Sequence, residues 1–241
     1  MLAVMSDPLD ALRDRVHRAN LDLVRHGLVL FTWGNASAVD RAAGVLLIKP
    51  SGVDYDAMRP EHMVAVRLAD GAVLPGPDGR TMKPSSDTAT HLALYRAWPG
   101  VGGIVHTHSR WATAVAQAGR PIPAQGTTHA DYFHGDVPCT RALTQAEVDG
   151  DYEAETGAVI LEAFAGLDPL AVPGVLVDQH APFAWGASVE KAVYHAAVLE
   201  RLAEMHIACA TLGAADRRVP GYLLDRHYQR KHGPKATYGQ G

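Results

Sequence analysis

Residues 99–109 read Pro-Gly-Val-Gly-Gly-Ile-Val-His-Thr-His-Ser, and this segment is the most informative guide to the fold. The apolar run Val101–Val105 predicts a β-strand that leads directly into two histidines. In an extended strand, side chains two residues apart lie on the same face. His106 and His108 therefore project to one side, with the spacing of two ligands of one metal ion.

Two further residues complete a candidate metal site. Asp87 follows Ser85-Ser86 at the predicted start of a helix, and His180 follows a predicted strand. Three imidazoles and a carboxylate suit a zinc-like divalent ion, which can withdraw electron density from the oxygens of a bound molecule. Asp178 is a rival ligand. Because the chain has 13 histidines, a structural pair at positions 106 and 108 is the alternative interpretation.

The composition favours a globular protein rather than a polyanion-binding one. At 241 residues with 47% hydrophobic residues, the chain is long enough for one domain, which we expect to span 1–241. The net charge of −4 gives no bulk attraction to nucleic acid or to an anionic membrane. Cys139 and Cys209 form no metal-ligand spacing, which favours a reducing cytoplasm. We expect no targeting segment and no membrane span.

The remaining pattern mixes strand-like and helix-like segments. An amphipathic helix is predicted from Leu9 to Leu23, with Gly27 as its stop. Strands are predicted at Leu28–Phe31, Val45–Ile48, Met63–Leu68 and Gly174–Val177. Further helices are predicted from Thr88 to Trp98 and near Asp151–Phe164 and Val189–Ala208, followed by a basic tail from Arg226. The mixture favours an α/β sandwich in which helices cover a mainly antiparallel sheet.

Three turn segments could bind an anion: Thr32–Asn35, Lys49–Gly52 and Ser85-Ser86. Each offers hydroxyl, amide or backbone N–H donors, and together they suggest a phosphate pocket. Each segment alone is better explained as a turn or a helix cap. Asp131 and Tyr238 are candidate acid–base groups, whereas the alternatives are a solvated loop carboxylate and a tyrosine in a disordered terminus.

Several motifs together resemble L-ribulose-5-phosphate 4-epimerases, within the larger class II aldolase group. The resemblance runs nearly end to end. It is carried by Phe31-Thr32-Trp33-Gly34-Asn35 and by the segments Ile48–Tyr55, Lys83–Thr88, Gly102–Ser109, Gly126–Phe133, Pro173–Val177, Pro182–Gly186 and Arg230–Gln240.

The resemblance implies a class II aldolase-like α/β/α sandwich and a metal-dependent isomerase. The reaction would epimerise L-ribulose 5-phosphate to D-xylulose 5-phosphate at C4, with arabinose catabolism as the natural pathway. The family has homotetramers with active sites at subunit interfaces, to which the carboxyl-terminal tail, residues 226–241, would contribute. The implied roles are zinc binding by Asp87, His106, His108 and His180, acid–base catalysis by Asp131 and Tyr238, and substrate binding by Gly34, Asn35, Ser51, Gly52, Ser85, Ser86 and His227.

Two alternatives remain open at this point. A class II aldolase that cleaves a sugar 1-phosphate such as L-fuculose 1-phosphate would share the chemistry. The aldolases resemble one another in having Glu at the position of Asp87. The Asp at this position and the epimerase-like ending therefore favour the epimerase. A non-catalytic protein with a purely structural metal is the other alternative.

Overall fold

The structure is a computed structural model that describes residues 8–234 and 236. Its centre is a six-stranded antiparallel sheet with the strand order β3-β2-β1-β4-β6-β5. The strands are β1 (Asn35–Asp40), β2 (Val45–Ile48), β3 (Val64–Arg67), β4 (Gly103–His106), β5 (Gly174–Leu176) and β6 (Pro182–Gly186).

Helices cover both faces of the sheet. They are α1 (Asp10–Arg25), α2 (Thr88–Ala97), α3 (Arg110–Gln117), α4 (Thr127–Ala130), α5 (Gln145–Asp149), α6 (Tyr152–Ala163), α7 (Val189–Thr211) and α8 (Gly221–His232). Two short 3-10 turns, Tyr55–Ala57 and Pro60–His62, precede β3. The predicted α/β sandwich with a mainly antiparallel sheet is therefore confirmed.

Side chains that alternate between the two faces of the sheet divide the core into two apolar clusters. In β4, Ile104 points into a cluster with residues of α2, α3 and α6, whereas Val105 points into a cluster with α1 and the first half of α7. Successive strand side chains face opposite sides of a sheet, so each strand contributes to both clusters. This packing holds the strand that carries His106 rigidly in the middle of the sheet.

Glycines let α7 lie directly on the sheet. A Cβ at Gly103 would lie 2.3 Å from Val189 Cα, and one at Gly186 would lie 2.6 Å from Lys191 Cβ. The beginning of α7 is fixed by Ser188, whose Oγ accepts a hydrogen bond from the Lys191 backbone N–H. Strands β4 and β6 are therefore pressed against the amino-terminal turn of this helix.

Some predicted elements differ from the structure. The strand predicted at Leu28–Phe31 is wrong: the segment is irregular, and Leu30 and Phe31 are 62% and 76% exposed. Phe31 has φ 51°, a left-handed conformation that ends extended structure. The strand begins instead at Asn35, in a polar and alanine-rich stretch without a strong strand signal.

The carboxyl-terminal region is also more ordered than the sequence predicts. Residues 221–232 form α8, so the first part of the predicted basic tail is a helix. In residues 8–234 and 236, no helix is both long enough and apolar enough to cross a membrane.

Gly103→Ala should destabilise the protein by about 1–3 kcal/mol, because the added methyl group would overlap the α7 backbone rather than a flexible side chain. Urea unfolding would measure the change. Gly221→Ala is the matched control, since a Cβ at the start of α8 meets nothing within 4 Å. Equal stability of the two variants would contradict this account of the packing.

Candidate active site

A pocket of about 620 Å³ opens where β4 ends and β1 begins. The antiparallel pairing of these strands places Asn35 opposite His106. The pocket gathers ten of the residues predicted to bind metal or substrate. These are Gly34, Asn35, Ser51, Gly52, Ser85, Ser86, Asp87, His106, His108 and His180.

Three histidines in this pocket form a compact set of metal-ligand atoms. One ring nitrogen each from His106, His108 and His180 lie within 4.8 Å of one another. The Nε2 atoms of His106 and His108 are 3.2 Å apart. Two ligands at about 2.0–2.1 Å from a tetrahedral ion are separated by roughly 3.3 Å, so this spacing fits a shared divalent cation.

The surroundings of His106 and His180 support this interpretation. His106 Nδ1 is 3.0 Å from the Pro182 carbonyl oxygen, which fixes the ring and directs Nε2 into the pocket. His180 Nδ1 is buried without a hydrogen-bond partner among the described residues. Burial lowers the pKa of His180 to about 4, so its ring is neutral at neutral pH and can act as a ligand.

Asp87 lies at the start of α2 and faces the same pocket. Its Oδ2 accepts hydrogen bonds from Asn35 Nδ2 at 2.6 Å and from Ser85 Oγ at 3.3 Å. Burial alone would raise the pKa of Asp87, but interactions with His106 and His91 and the Asn35 hydrogen bond hold that pKa below its ordinary value. Asp87 is therefore an anion whose donors, Asn35 and Ser85, are also the predicted substrate contacts.

The pocket lining also includes a buried lysine. Lys49 is only 2% exposed, and its Nζ donates to the Val53 carbonyl oxygen at 2.8 Å while lying 4.9 Å from the Tyr55 ring centroid. Burial lowers the pKa of Lys49. The Tyr55 hydroxyl is 2.9 Å from the Gly34 carbonyl oxygen, so one tyrosine links the two predicted anion-binding turns.

Gly34 has little room for a side chain. Its φ of +79° is left-handed, and a Cβ there would lie 2.7 Å from the His106 carbonyl oxygen. The turn that contains Gly34 therefore approaches the strand of His106 more closely than any other residue type would allow.

Two pocket residues, Tyr152 and Glu153, were not identified from the sequence, and Lys49 was identified only as part of an anion-binding turn. Lys49 lies within a predicted anion-binding segment, so a signal for it was present. Tyr152 and Glu153, at the start of α6, line the pocket beside His180. No motif marks them, because only the packing of α6 against α2 brings them there.

The predicted acid–base residue Asp131 lies in a different place. It follows α4, and neither Asp131 nor His227 lines the pocket described above. His227 Nδ1 is 3.0 Å from Asp131 Oδ1, and Arg230 Nη2 is 3.0 Å from both carboxylate oxygens. Lys231 Nζ lies 3.6 Å from Asp131 Oδ2. Asp131 therefore docks α8 onto α4 through three basic side chains.

These contacts fix the charge of Asp131. Burial opposes ionisation, but hydrogen bonds from Arg230 and His227 outweigh it and hold the pKa of Asp131 below its ordinary value.

Tyr238, the other predicted acid–base residue, lies outside the described residues. Asp178, the rival ligand, does not line the pocket; its Oδ2 accepts from Gln179 Nε2 at 3.0 Å.

The fold and the histidine cluster define a class of protein. The family model for the class II aldolase and adducin N-terminal domain matches residues 14–207, and the chain belongs to this family. Curated relatives include the L-ribulose-5-phosphate 4-epimerases UlaF of Salmonella paratyphi B (strain ATCC BAA-1250 / SPB7) and Salmonella typhi. Each is 53% identical over 232 residues, which cover 96% of this chain and 100% of the relative.

Solved structures share the fold at lower identity. An L-fuculose 1-phosphate aldolase superposes with a TM-score of 0.76 at 21% identity, covering 95% of this chain and 98% of that one. The L-fuculose 1-phosphate aldolase from Glaciozyma antarctica PI12 has a TM-score of 0.75 at 16% identity, with coverage of 99% and 88%. These likenesses establish the class II aldolase fold.

The metal-free protein should lose stability as the pH falls from about 6.5 to about 4. Burial lowers the pKa of His91 to about 3 and that of His195 to about 4, whereas an unfolded histidine titrates near 6.5. Below about pH 6.5 the unfolded chain therefore binds protons that the folded chain excludes, and the stabilisation present above that pH is lost.

Urea unfolding at a series of pH values would measure this dependence. His195→Leu should reduce the slope of unfolding free energy against pH. His26→Gln is the control, because it removes an exposed histidine. A free energy of unfolding that stays constant or rises toward pH 4 would contradict the expected direction.

Proposed function

We propose that this protein is a metal-dependent L-ribulose-5-phosphate 4-epimerase that interconverts L-ribulose 5-phosphate and D-xylulose 5-phosphate. The observation that carries the proposal is the meeting of a three-histidine cluster with several anion-binding turns in one pocket. The 53% identity to curated 4-epimerases over nearly the whole chain selects this reaction among those of the class II aldolase fold.

The two sugar phosphates differ only in configuration at C4, which carries no acidic C–H. Simple deprotonation at carbon is therefore not a route to the product. Removal of the C4 hydroxyl proton allows the C3–C4 bond to break, giving glycolaldehyde phosphate and a three-carbon fragment with the bonding electron pair. Rotation of the aldehyde before the bond forms again gives the other epimer.

The metal would be held by Asp87, His106, His108 and His180. Their three imidazoles and one carboxylate suit zinc. When bound, the ion supplies Lewis-acid stabilisation of the negative charge that develops on substrate oxygens. The His106 ring is already oriented by the Pro182 carbonyl, so little reorganisation is needed to present its Nε2.

The substrate phosphate would bind at the turns that line the pocket. Asn35, Ser51, Ser85 and Ser86 offer side-chain donors, and Gly34 and Gly52 allow close approach of the backbone. The buried amino group of Lys49 lies among these lining residues. Because Asn35 and Ser85 also donate to Asp87, a phosphate that takes these donors would compete with the Asp87 carboxylate for them.

Asp131 and Tyr238 are the proposed acid–base pair, with His227 beside Asp131 at 3.0 Å. Two groups are needed because the aldehyde is attacked on opposite faces for the two epimers. Asp131 and His227 do not line the pocket of their own chain, which supports their acting in the pocket of a neighbouring subunit. We therefore propose a homotetramer with active sites at subunit interfaces.

We also propose that the protein works in a reducing, cytoplasmic compartment. Cys139 and Cys209 are both unpaired, which is consistent with this location. Arabinose catabolism is one pathway that this reaction would serve, and an ascorbate or other pentose route would need the same step.

Purified zinc-loaded protein should convert L-ribulose 5-phosphate to D-xylulose 5-phosphate, and treatment with a chelator should abolish the conversion. Readdition of zinc should restore it. His106→Asn should lose both bound metal and activity, whereas His26→Gln should keep both. Cleavage of L-fuculose 1-phosphate, assayed in parallel, should be absent; cleavage without epimerisation would assign the protein as an aldolase.

Shared active sites predict complementation between two inactive variants. His106→Asn damages the pocket and Tyr238→Phe damages the tail, so each variant alone should be nearly inactive. In tetramers co-expressed from both chains at equal amounts, about one quarter of the sites should combine an intact pocket with an intact tail.

The assay is epimerase activity of hetero-oligomers isolated through two different affinity tags. Separately purified variants mixed just before the assay serve as the control. Hetero-oligomers no more active than their parents would show that pocket and tail act within one chain.

A further inference from the structure

His108 is the member of the histidine cluster that is held least by packing. It is exposed, whereas His106 is buried and His180 is partly buried. Strand β4 ends at His106, so His108 lies beyond the sheet, and α3 begins at Arg110. The separation of 3.2 Å between the Nε2 atoms of His106 and His108 therefore depends on where the first turn of α3 is held.

The first turn of α3 is held by a side chain from α7. Glu200 is 9% exposed. Its Oε1 accepts a hydrogen bond from the Trp111 backbone N–H at 2.8 Å, and its Oε2 accepts one from the Ala112 backbone N–H at 2.9 Å. A helix leaves such N–H groups without a partner at its start, and its dipole favours a negative charge there. Both oxygens of one carboxylate thus fix the start of this helix.

The residue at the N-cap position of α3 does not supply this cap. Ser109 occupies that position, where a serine hydroxyl ordinarily accepts from the second or third N–H of the helix, but its side chain makes no such bond. A hydroxyl would also be less costly to bury than a carboxylate. A local cap would not, however, attach α3 to another element. Glu200 both completes the start of α3 and ties it to α7.

Helix α7 contacts the histidine segment at both ends. At the beginning of the segment, a Cβ on Gly103 would lie 2.3 Å from Val189 Cα. At its end, Glu200 holds the start of α3. The rise from Val189 to Glu200 is roughly 16 Å, at about 1.5 Å per helical residue. The extended chain from Gly103 to His108 spans roughly the same distance, at about 3.3 Å per residue. The length of α7 between these contacts therefore matches the length of the segment that carries both histidines.

We propose that Glu200 is a positioning residue of the metal site, which holds His108 at coordinating distance from His106 by fixing the start of α3 to α7. Glu200 does not line the pocket, so it acts through the backbone that joins His108 to Ala112. Contacts outside the ligand set orient metal ligands, and their loss weakens metal binding. This inference rests on the proposed role of His106 and His108 as metal ligands.

Glu200→Ala should weaken zinc binding about tenfold, because the first turn of α3 loses both acceptors and His108 loses its fixed position. Glu200→Gln should weaken it about threefold, because the amide oxygen keeps one acceptor whereas the amide NH₂ cannot accept the second bond. Zinc affinity is measured by competition with a chromophoric chelator. The d–d absorption of the cobalt-substituted protein reports the ligand geometry independently of activity, and it should change in Glu200→Ala.

Thr144→Ala is the matched control, because it removes another helix-capping side chain. Thr144 Oγ1 accepts from the Glu147 backbone N–H at 3.3 Å at the start of α5, outside the pocket. This variant should unfold at a lower urea concentration but keep the zinc affinity and cobalt spectrum of the wild type. Near-UV circular dichroism verifies that each variant is folded. If Glu200→Ala does not fold, Glu200→Gln takes its place.

Wild-type zinc affinity and an unchanged cobalt spectrum in folded Glu200→Ala, or in Glu200→Gln where that variant is used, would overturn the inference. An equal loss of zinc affinity in Thr144→Ala would also overturn it, because general destabilisation would then account for the effect. Failure of the metal site itself is recognised separately, since His106→Asn and His108→Asn would then bind zinc like the wild type.

Discussion

The antiparallel pairing of β1 with β4 is the constraint on which the site depends. It places Asn35 opposite His106, and Asn35 in turn donates to Asp87 at the start of α2. One register thus connects the strand of the candidate metal ligand His106, the predicted substrate-binding turn and a helix start. Because side chains alternate along a strand, a shift of one residue would turn His106 toward the other face of the sheet.

The charged residues of the predicted site lie in two separate clusters. The pocket brings Asp87 and the buried Lys49 together with three imidazoles, an arrangement suited to a cation and an anionic substrate. The second cluster surrounds Asp131 with His227, Arg230 and Lys231 and fastens α8 to the body of the protein. Asp131 therefore has a structural task, which requires an ionised carboxylate, as well as its proposed catalytic one.

The sequence predicted the regular parts of the fold well because they follow strong periodic patterns. Helix α1 and strands β2 and β3 coincide closely with the segments predicted from Leu9–Leu23, Val45–Ile48 and Met63–Leu68. The strand β1 was missed because Asn-Ala-Ser-Ala-Val-Asp has little intrinsic strand preference and is held by its neighbours on both sides. The strand predicted at Leu28–Phe31 fails because Leu30 and Phe31 are exposed and Phe31 has a left-handed backbone conformation.

The sequence by itself determined the chemical inventory: the His106-Thr-His108 pair, the turns that offer anion donors, and the family to which the motifs belong. These depend on residue types and short spacings. Only the tertiary structure decided that His180 joins the pair, that Tyr152 and Glu153 line the pocket, and that Asp131 does not. Such neighbours are far apart along the chain, and the packing of helices on the sheet alone fixes which of them meet.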